Sequence, residues 1–495
     1  MTDLTSARLS RLRLGLSWPL LVALLAYAIA LLRAPQTIGD PDVYWHVVTG
    51  RWIIAHHAVP HVDIFSYSMP GAPWVAHEWL ADVALALLFD HFGWLGLVAL
   101  AGAAGGLALA VLARVLLRHL PPLYALMATM LAMAMCAPHW LARPHIFTLP
   151  LAVWWVTALV EAREADRAPP LALALIMTLW VNLHGSFIVG LGFAGLLGFE
   201  ALLLAPSAPA RWLVVRRWGV FGALAFAATF ITPNGINAYL LPVHLLGMKY
   251  TLSILREWRS ASFEGLEPFE IWLLVALFLG FGTKLRLPMT RLLLLLLLVH
   301  LALQHVRHGE LVGLIAPLLL APAIGAQLKG APSGGDSAWL DRKMAELSRP
   351  AAAPAVALAL ALALAGSAIA AAYPIAPPKI FTPEAALRFA RAHGIEGHVF
   401  NDYNFGGYLI FSGVPTFVDG RADMYGDAFI EREHEAVHAQ NGELPAILGE
   451  YDVTWTLLAP SNEAVRLLDL MPGWHRVYAD DIAVIHIRDG VTLTP

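Results

Sequence analysis

Long apolar runs dominate this chain, and they restrict its fold more than any other feature. A bilayer core about 30 Å thick takes about 20 apolar residues per helix. Inside it every backbone N–H and C=O must find a partner within the chain, so runs of this kind cross as helices. They fall at roughly 15–33, 94–117, 121–139, 146–162, 169–183, 187–205, 218–233, 268–283, 289–304, 309–326 and 351–373. The sequence thus predicts an α-helical polytopic membrane protein with about 11 transmembrane helices.

Composition agrees with that class. Of 495 residues, 58% are hydrophobic and 14% charged, whereas soluble domains carry about 25% charged residues. The mean hydropathy is +0.64. A net charge of −4 with no basic stripe excludes nucleic acid as an expected partner. The single cysteine, Cys136, excludes a disulfide framework and a cysteine-based zinc site. Gly15–Leu32 follows Arg8, Arg11 and Arg13 with no small-residue cleavage site, and it reads as a retained first helix.

Charge asymmetry sets the orientation. With the N-terminus in the cytoplasm, the cytoplasmic loops hold Arg114 and Arg118; Arg163 and Arg167; Arg211, Arg216 and Arg217; Lys284, Arg286 and Arg291; and Lys329, Arg342, Lys343 and Arg349. The alternation requires that Glu78–Phe92 not cross. Its Glu78, Asp82 and Asp90 suit a helix lying in the interface. The expected units are therefore residues 1–373, spanning the membrane with a first outer loop at 34–93, and residues 374–495. The second is predicted to be a small α/β domain on the extracytoplasmic, periplasmic side of the inner membrane. Within it, Pro383–His393 reads as a helix capped by Thr382. His398–Asn401, Tyr408–Phe411, Thr416–Asp419 and Ile482–Arg488 read as short strands.

Polar residues gather on the outer side, where ionisable groups at membrane depth need a reason to exist. The first outer loop carries Asp40, Asp42, His46, His56, His57, His61, Asp63, His77 and Glu78. Later loops bring His139, Arg143 and His145; Asn182 and His184; Asn234, Asn237, Glu257 and Arg259; and His305, Arg307 and His308. Acids of this kind could act on an acceptor or leaving group, and arginine and histidine could hold a phosphate. Each also has a plainer reading. Asp40 and Asp42 suit the N-cap of a helix from Tyr44 to His57. His77-Glu78 could open the interfacial helix, His184 could cap a helix break, and Arg143, Arg307 and His308 could end helices. His56 and His57 read as a solvated face. No zinc-protease spacing is present.

The first outer loop then becomes familiar. An acid follows the first helix, then the aromatic run Tyr44-Trp45-His46 to Gly50 and Trp52, then Pro60, Asp63-Ile64-Phe65-Ser66-Tyr67, Pro70-Gly71 and Trp74. This pattern resembles the GT-C superfamily of integral membrane glycosyltransferases. The resemblance covers the whole architecture but only about forty residues of motif. It implies transfer of a sugar from a polyprenyl-phosphate donor to a lipid, glycan or protein acceptor on the outer side. It also implies membrane lipids as surroundings and Asp40 or Asp42 as the loop acid and general base. Arg143, His145, Arg307 and His308 become candidates for the donor phosphate, with His46, Asp63, His77, Glu78, His184 and Glu257 as further substrate-site candidates. Asp40-Pro41-Asp42 is formally a D-x-D, so a divalent Mg or Mn ion on Asp40 and Asp42 stays open.

In the C-terminal region, Phe400-Asn401-Asp402-Tyr403, Gly406-Gly407-Tyr408 and Val418 to Tyr425 could meet a sugar, but Gly-Gly and Asp-Gly are also turn chemistry. Two other functions remain open. A lipid-linked glycan transporter or flippase would carry charges near the midplane, whereas here they sit at the outer interface. A non-catalytic envelope assembly protein would tolerate replacement of Asp40, Asp42 and Arg143.

Overall fold

A computed structural model of the chain describes residues 15–328 and 338–493. Arg8, Arg11, Arg13 and Lys329 lie outside the described residues. The helices, in order, are α1 (Trp18–Leu32), α2 (Asp42–His56), α3 (Trp79–Leu116), α4 (Pro122–Cys136), α5 (Thr148–Glu164), α6 (Leu175–Leu183) and α7 (Phe187–Leu204). Then follow α8 (Ala208–Ala228), α9 (Asn237–Gly247), α10 (Lys249–Ile254), α11 (Pro268–Gly282), α12 (Met289–Gln304), α13 (Gly309–Leu328), α14 (Ala338–Leu347) and α15 (Ala353–Ala370). The C-terminal part adds α16 (Glu384–Ala392), α17 (Gly406–Phe411), α18 (Asp427–Val437), α19 (Glu443–Glu450) and α20 (Glu463–Leu470). Its strands are β1 (His398–Asn401), β2 (Val453–Leu458), β3 (Trp474–Ala479) and β4 (Val484–Arg488).

Among the described residues, six helices are long and apolar enough to cross a membrane: Trp79–Leu116, Pro122–His139, Pro144–Glu164, Phe187–Leu204, Val306–Leu328 and Ala353–Ala370. Four shorter apolar helices, Trp18–Leu32, Leu171–Leu183, Pro268–Gly282 and Met289–Gln304, fall on further expected spans. The span expected at 218–233 falls on α8, which differs. This helix starts earlier and carries Arg211, Arg216 and Arg217 on the helix itself. Ser207 caps it by accepting the Ala210 amide at 3.3 Å, and a proline sits in its first turn.

α1 and α2 both pack on α3, and α13 packs against α4, α5 and α12. α3 is interrupted at Gly93, whose φ of 58° and ψ of −153° no helix contains. Only glycine takes such a conformation freely, so the chain breaks between the Asp82- and Asp90-bearing stretch and the apolar run from Trp94. The interruption falls at the end of the stretch read from sequence as non-crossing. The exposed apolar side chains of α11 and α15, such as Phe278, Phe281 and Leu364, form the outer surface of the bundle.

The C-terminal part is a four-stranded sheet of order β1-β2-β4-β3, parallel at β1/β2 and antiparallel elsewhere, flanked by short helices. Three expectations are corrected here. Tyr408–Phe411 is helical (α17), packed against α2. Thr416–Asp419 is not a strand and makes only an isolated bridge from Thr416 to Ser66. Thr382 lies two residues before α16, whose cap position is Pro383, and its hydroxyl bonds Pro378 O and the Tyr44 hydroxyl instead of a helix amide.

Candidate active site

One end of the bundle collects the loops after α1, α4, α6 and α10 and the turn before α13. Asp40 comes first. Its Oδ1 accepts the Asp42 amide at 2.9 Å, which is the helix-start role that the D-P-D spacing suggests. Its Oδ2 meets Arg143 Nη1 at 3.0 Å. Asp42 Oδ2 meets Arg143 Nη2 at 2.9 Å. The two acids therefore lie on two nitrogens of one guanidinium, a fork that only arginine supplies. Arg143 is carried by the turn after α4, which the Ala142 amide fastens to Thr37 O at 2.7 Å.

Glu257 closes the group from another loop. It lies 3.5 Å from Arg143 Nη1 and 3.0 Å from Arg307 Nη1. The Arg307 guanidinium also stacks over Trp258 at 4.7 Å. Three carboxyls thus face two guanidiniums, one more acid than there are bases to pair it. Burial and the Asp40 charge push the Asp42 carboxyl up to about 8, against the pull of Arg143. Glu257 behaves in the opposite way. Burial pushes it up, but Arg143 and Arg307 outweigh that and hold it at about 2.

A second group adjoins the first. Glu78 Oε1 is 3.4 Å from His184 Nε2 and 3.6 Å from His77 Nε2. Its Oε2 lies 4.0 Å from His46 Nε2. Burial raises the Glu78 carboxyl above its ordinary value. His184 Nδ1 accepts the Ser186 amide at 3.1 Å, which leaves its proton on Nε2, facing Glu78. Burial first, then the charge of Arg307, holds this ring well below the usual histidine range. His46 is fully buried, with Nδ1 on Asp82 at 2.7 Å, and it supports the cluster from behind.

The remaining candidates are placed differently. His145 uses Nε2 on His139 O at 2.9 Å, and His308 uses Nδ1 on Leu301 O at 3.2 Å. Each neutral ring has one N–H, so that donor is committed to a carbonyl. Asp63 is buried against Arg421 Nη1 at 2.7 Å. Arg421 also pairs with Asp419 at 2.7 Å and stacks over Trp74 and Phe65. This pairing fastens the first loop to the C-terminal part. Asn401 has a structural place too, accepting the Phe417 amide and donating to Val418 O, as turn chemistry would have it.

The C-terminal runs that the sequence offered as sugar contacts or as turns lie against this site. A Cβ on Gly420 would collide with the Asp42 carboxylate, so the Asp419-Gly420-Arg421 turn lies directly on Asp42. Tyr403 is close enough for Asp42 and Arg143 to act on its hydroxyl, and Asp423 for His77 to act on its carboxyl. The Asp-Gly-Arg-Ala-Asp run was visible in the sequence, but nothing local ties it to Asp42.

Among the described residues, no group of three or more His, Cys, Asp or Glu is arranged to hold a metal ion. Arg143 bridges Asp40 and Asp42 where a divalent ion would need its ligands free. The pair as arranged does not fit the Mg or Mn ion left open by the sequence, and no step below runs through a metal.

No family model and no curated protein matches this sequence. Solved structures do resemble the fold. The apo oligosaccharyltransferase of Archaeoglobus fulgidus is 11% identical with a TM-score of 0.49, over 88% of this chain and 69% of that one. Apo ArnT from Cupriavidus metallidurans is 14% identical with a TM-score of 0.49, over 95% and 97%. ArnT bound to undecaprenyl phosphate is 13% identical with a TM-score of 0.48, over 97% and 98%. Both proteins are GT-C superfamily membrane glycosyltransferases.

Proposed function

We propose that the chain is a membrane glycosyltransferase that moves a sugar from a polyprenyl-phosphate donor to a hydroxyl-bearing lipid, glycan or protein acceptor. The observation that carries this reading is the pair of acids, Asp40 and Asp42, held on the two nitrogens of Arg143 beside Arg307. A solved structure of similar fold holds undecaprenyl phosphate, which is consistent with it.

Asp42 is the general base. A carboxyl pushed up to about 8 is matched to proton transfer near neutral pH. In the step, Asp42 takes the acceptor O–H proton, the acceptor oxygen bonds the anomeric carbon, and the bond from that carbon to the phosphate oxygen breaks. The polyprenyl phosphate leaves with the electron pair. Arg307 is the phosphate holder, because Glu257 takes one of its five N–H donors and others remain. Arg143 holds the two acids in register. The site belongs on the extracytoplasmic face of the inner membrane, with the N-terminus cytoplasmic and about eleven crossings in residues 1–373. Residues 374–495 roof it through the turn on Asp42.

The test is donor turnover. The purified protein in nanodiscs is given a panel of polyprenyl-phosphate sugars with a cell-envelope extract as acceptor, and freed polyprenyl phosphate is followed by mass spectrometry. Release from one donor is the expected result. No release from any donor, with acceptor present, would overturn the reading.

A further inference from the structure

Glu257 completes the acid–arginine cluster, yet it sits on a single 3-10 turn, Arg256–Trp258. Two ties fix that turn. Behind it, Trp258 O and Arg259 O accept His305 Nδ1 at 2.7 Å and the Val306 amide at 3.0 Å. Ahead of it, the chain runs back through α10 to a side chain of the C-terminal part. Asp427, the first residue of α18, accepts the Thr251 amide and the Thr251 hydroxyl on Oδ1, both at 2.8 Å. Its Oδ2 accepts the Tyr250 amide at 3.1 Å. Beside this, the Tyr250 hydroxyl lies 2.9 Å from His434 Nδ1. Thr251 is fully buried. Backbone bonds Leu255 N to Thr251 O and Trp258 N to Leu255 O carry the placement from that residue to the turn that holds Glu257.

We propose that Asp427 is a positioning residue for Glu257: by holding Tyr250 and Thr251, it sets how Glu257 meets Arg143 and Arg307. Its catalytic consequence rests on the glycosyltransferase reading, whereas the placement itself does not. A carboxylate suits the task because one oxygen accepts two donors while the other accepts a third. Asparagine can reproduce the Oδ1 contacts but would turn an N–H₂ toward the Tyr250 amide. Alanine removes all three.

The experiment compares wild type with Asp427→Ala, Asp427→Asn and Thr251→Val in nanodiscs. The first readout is hydrogen exchange, which needs no activity. Asp427→Ala is expected to speed exchange of amides 250–258 about tenfold while leaving the amides of β2 and β4 unchanged. Asparagine and valine should fall in between. Wild-type exchange in 250–258 would overturn the proposal. Loosening of β2 and β4 together with 250–258 would also overturn it, as mere unfolding of the C-terminal part. The second readout is the pH profile of kcat/KM. The Glu257 charge adds to what raises Asp42, so releasing Glu257 should move the profile down by about half a pH unit, a threefold change at fixed pH on the rising limb. Glu257→Gln should give the same shift, and the double variant no more. A fall in activity with no shift of the profile would count against positioning. Fast exchange in Asp427→Ala together with a wild type that turns over no donor would support the placement while removing the glycosyltransferase reading.

Discussion

Asp40→Asn separates the roles of the two acids. Asparagine keeps an acceptor for the Asp42 amide, so the start of α2 survives the change. What disappears is one negative charge on the same guanidinium that holds Asp42. Two like charges at an effective dielectric of about 20 interact by roughly 4 kcal/mol at about 4 Å and less beyond it, which bounds the effect at about three pH units. Both side chains are partly exposed, at 17% and 13%, and solvent screening reduces this to about one unit. Arg143 is also released from Asp40 and left to Asp42 and Glu257, which acts in the same direction. The sign is fixed: Asp42 begins at about 8 and moves down. A base must be ionised, so in wild type kcat/KM should climb about tenfold per pH unit below 8 and level above it. In Asp40→Asn the whole limb should move about one unit toward acid, making the variant faster than wild type near pH 6 if its plateau holds. The assay is kcat/KM for donor turnover from pH 5 to pH 9.5. A limb that stays in place or moves alkaline would refute the charge coupling. A dead Asp40→Asn beside an active Asp42→Asn would show that the base is Asp40.

Other changes test the frame around the site. Arg421→Met leaves Asp63 and Asp419 buried without their partner, and breaking a buried pair costs about 3–5 kcal/mol. It should lower the thermal midpoint of the C-terminal part, read by tryptophan fluorescence, and free residues 63–66 to limited proteolysis. Gly420→Ala drives a methyl into the Asp42 carboxylate. A displacement near 1 Å can cost about a hundredfold, so kcat should fall by about 10–100-fold with the thermal midpoint held. Arg307→Lys keeps a charge but loses the fork and the stack on Trp258. It should weaken binding of polyprenyl phosphate, measured by native mass spectrometry, more than it lowers the plateau of the pH profile.

Much of the frame was legible because it is written locally. Apolar length marked the helices, and the acids placed before the apolar run from Trp94 set off the stretch that ends at the Gly93 break. Asp40, Asp42, Arg143, Glu257 and Arg307 were named because ionisable groups at helix ends stand out against an apolar chain. What stayed hidden depends on distant pairing. Asp63 and Arg421 are 358 residues apart, so their buried ion pair could not be read from the local pattern around either. Tyr408–Phe411 has the composition of a strand, but packing on α2 makes it a helix. The commitment of His145 and His308 to carbonyls follows from turns whose shape no spacing reveals.

The most direct test of the central claim is single-turnover release of polyprenyl phosphate by Asp42→Asn beside wild type, at pH 9 and with a matched thermal midpoint. Asparagine is nearly the same size and keeps an acceptor for Arg143, so the base and its charge are lost while the packing is kept. A drop of about a hundredfold or more, typical of losing a general base, with donor binding intact, is the predicted result. Release at the wild-type rate would contradict the account and take Asp42 out of the chemistry.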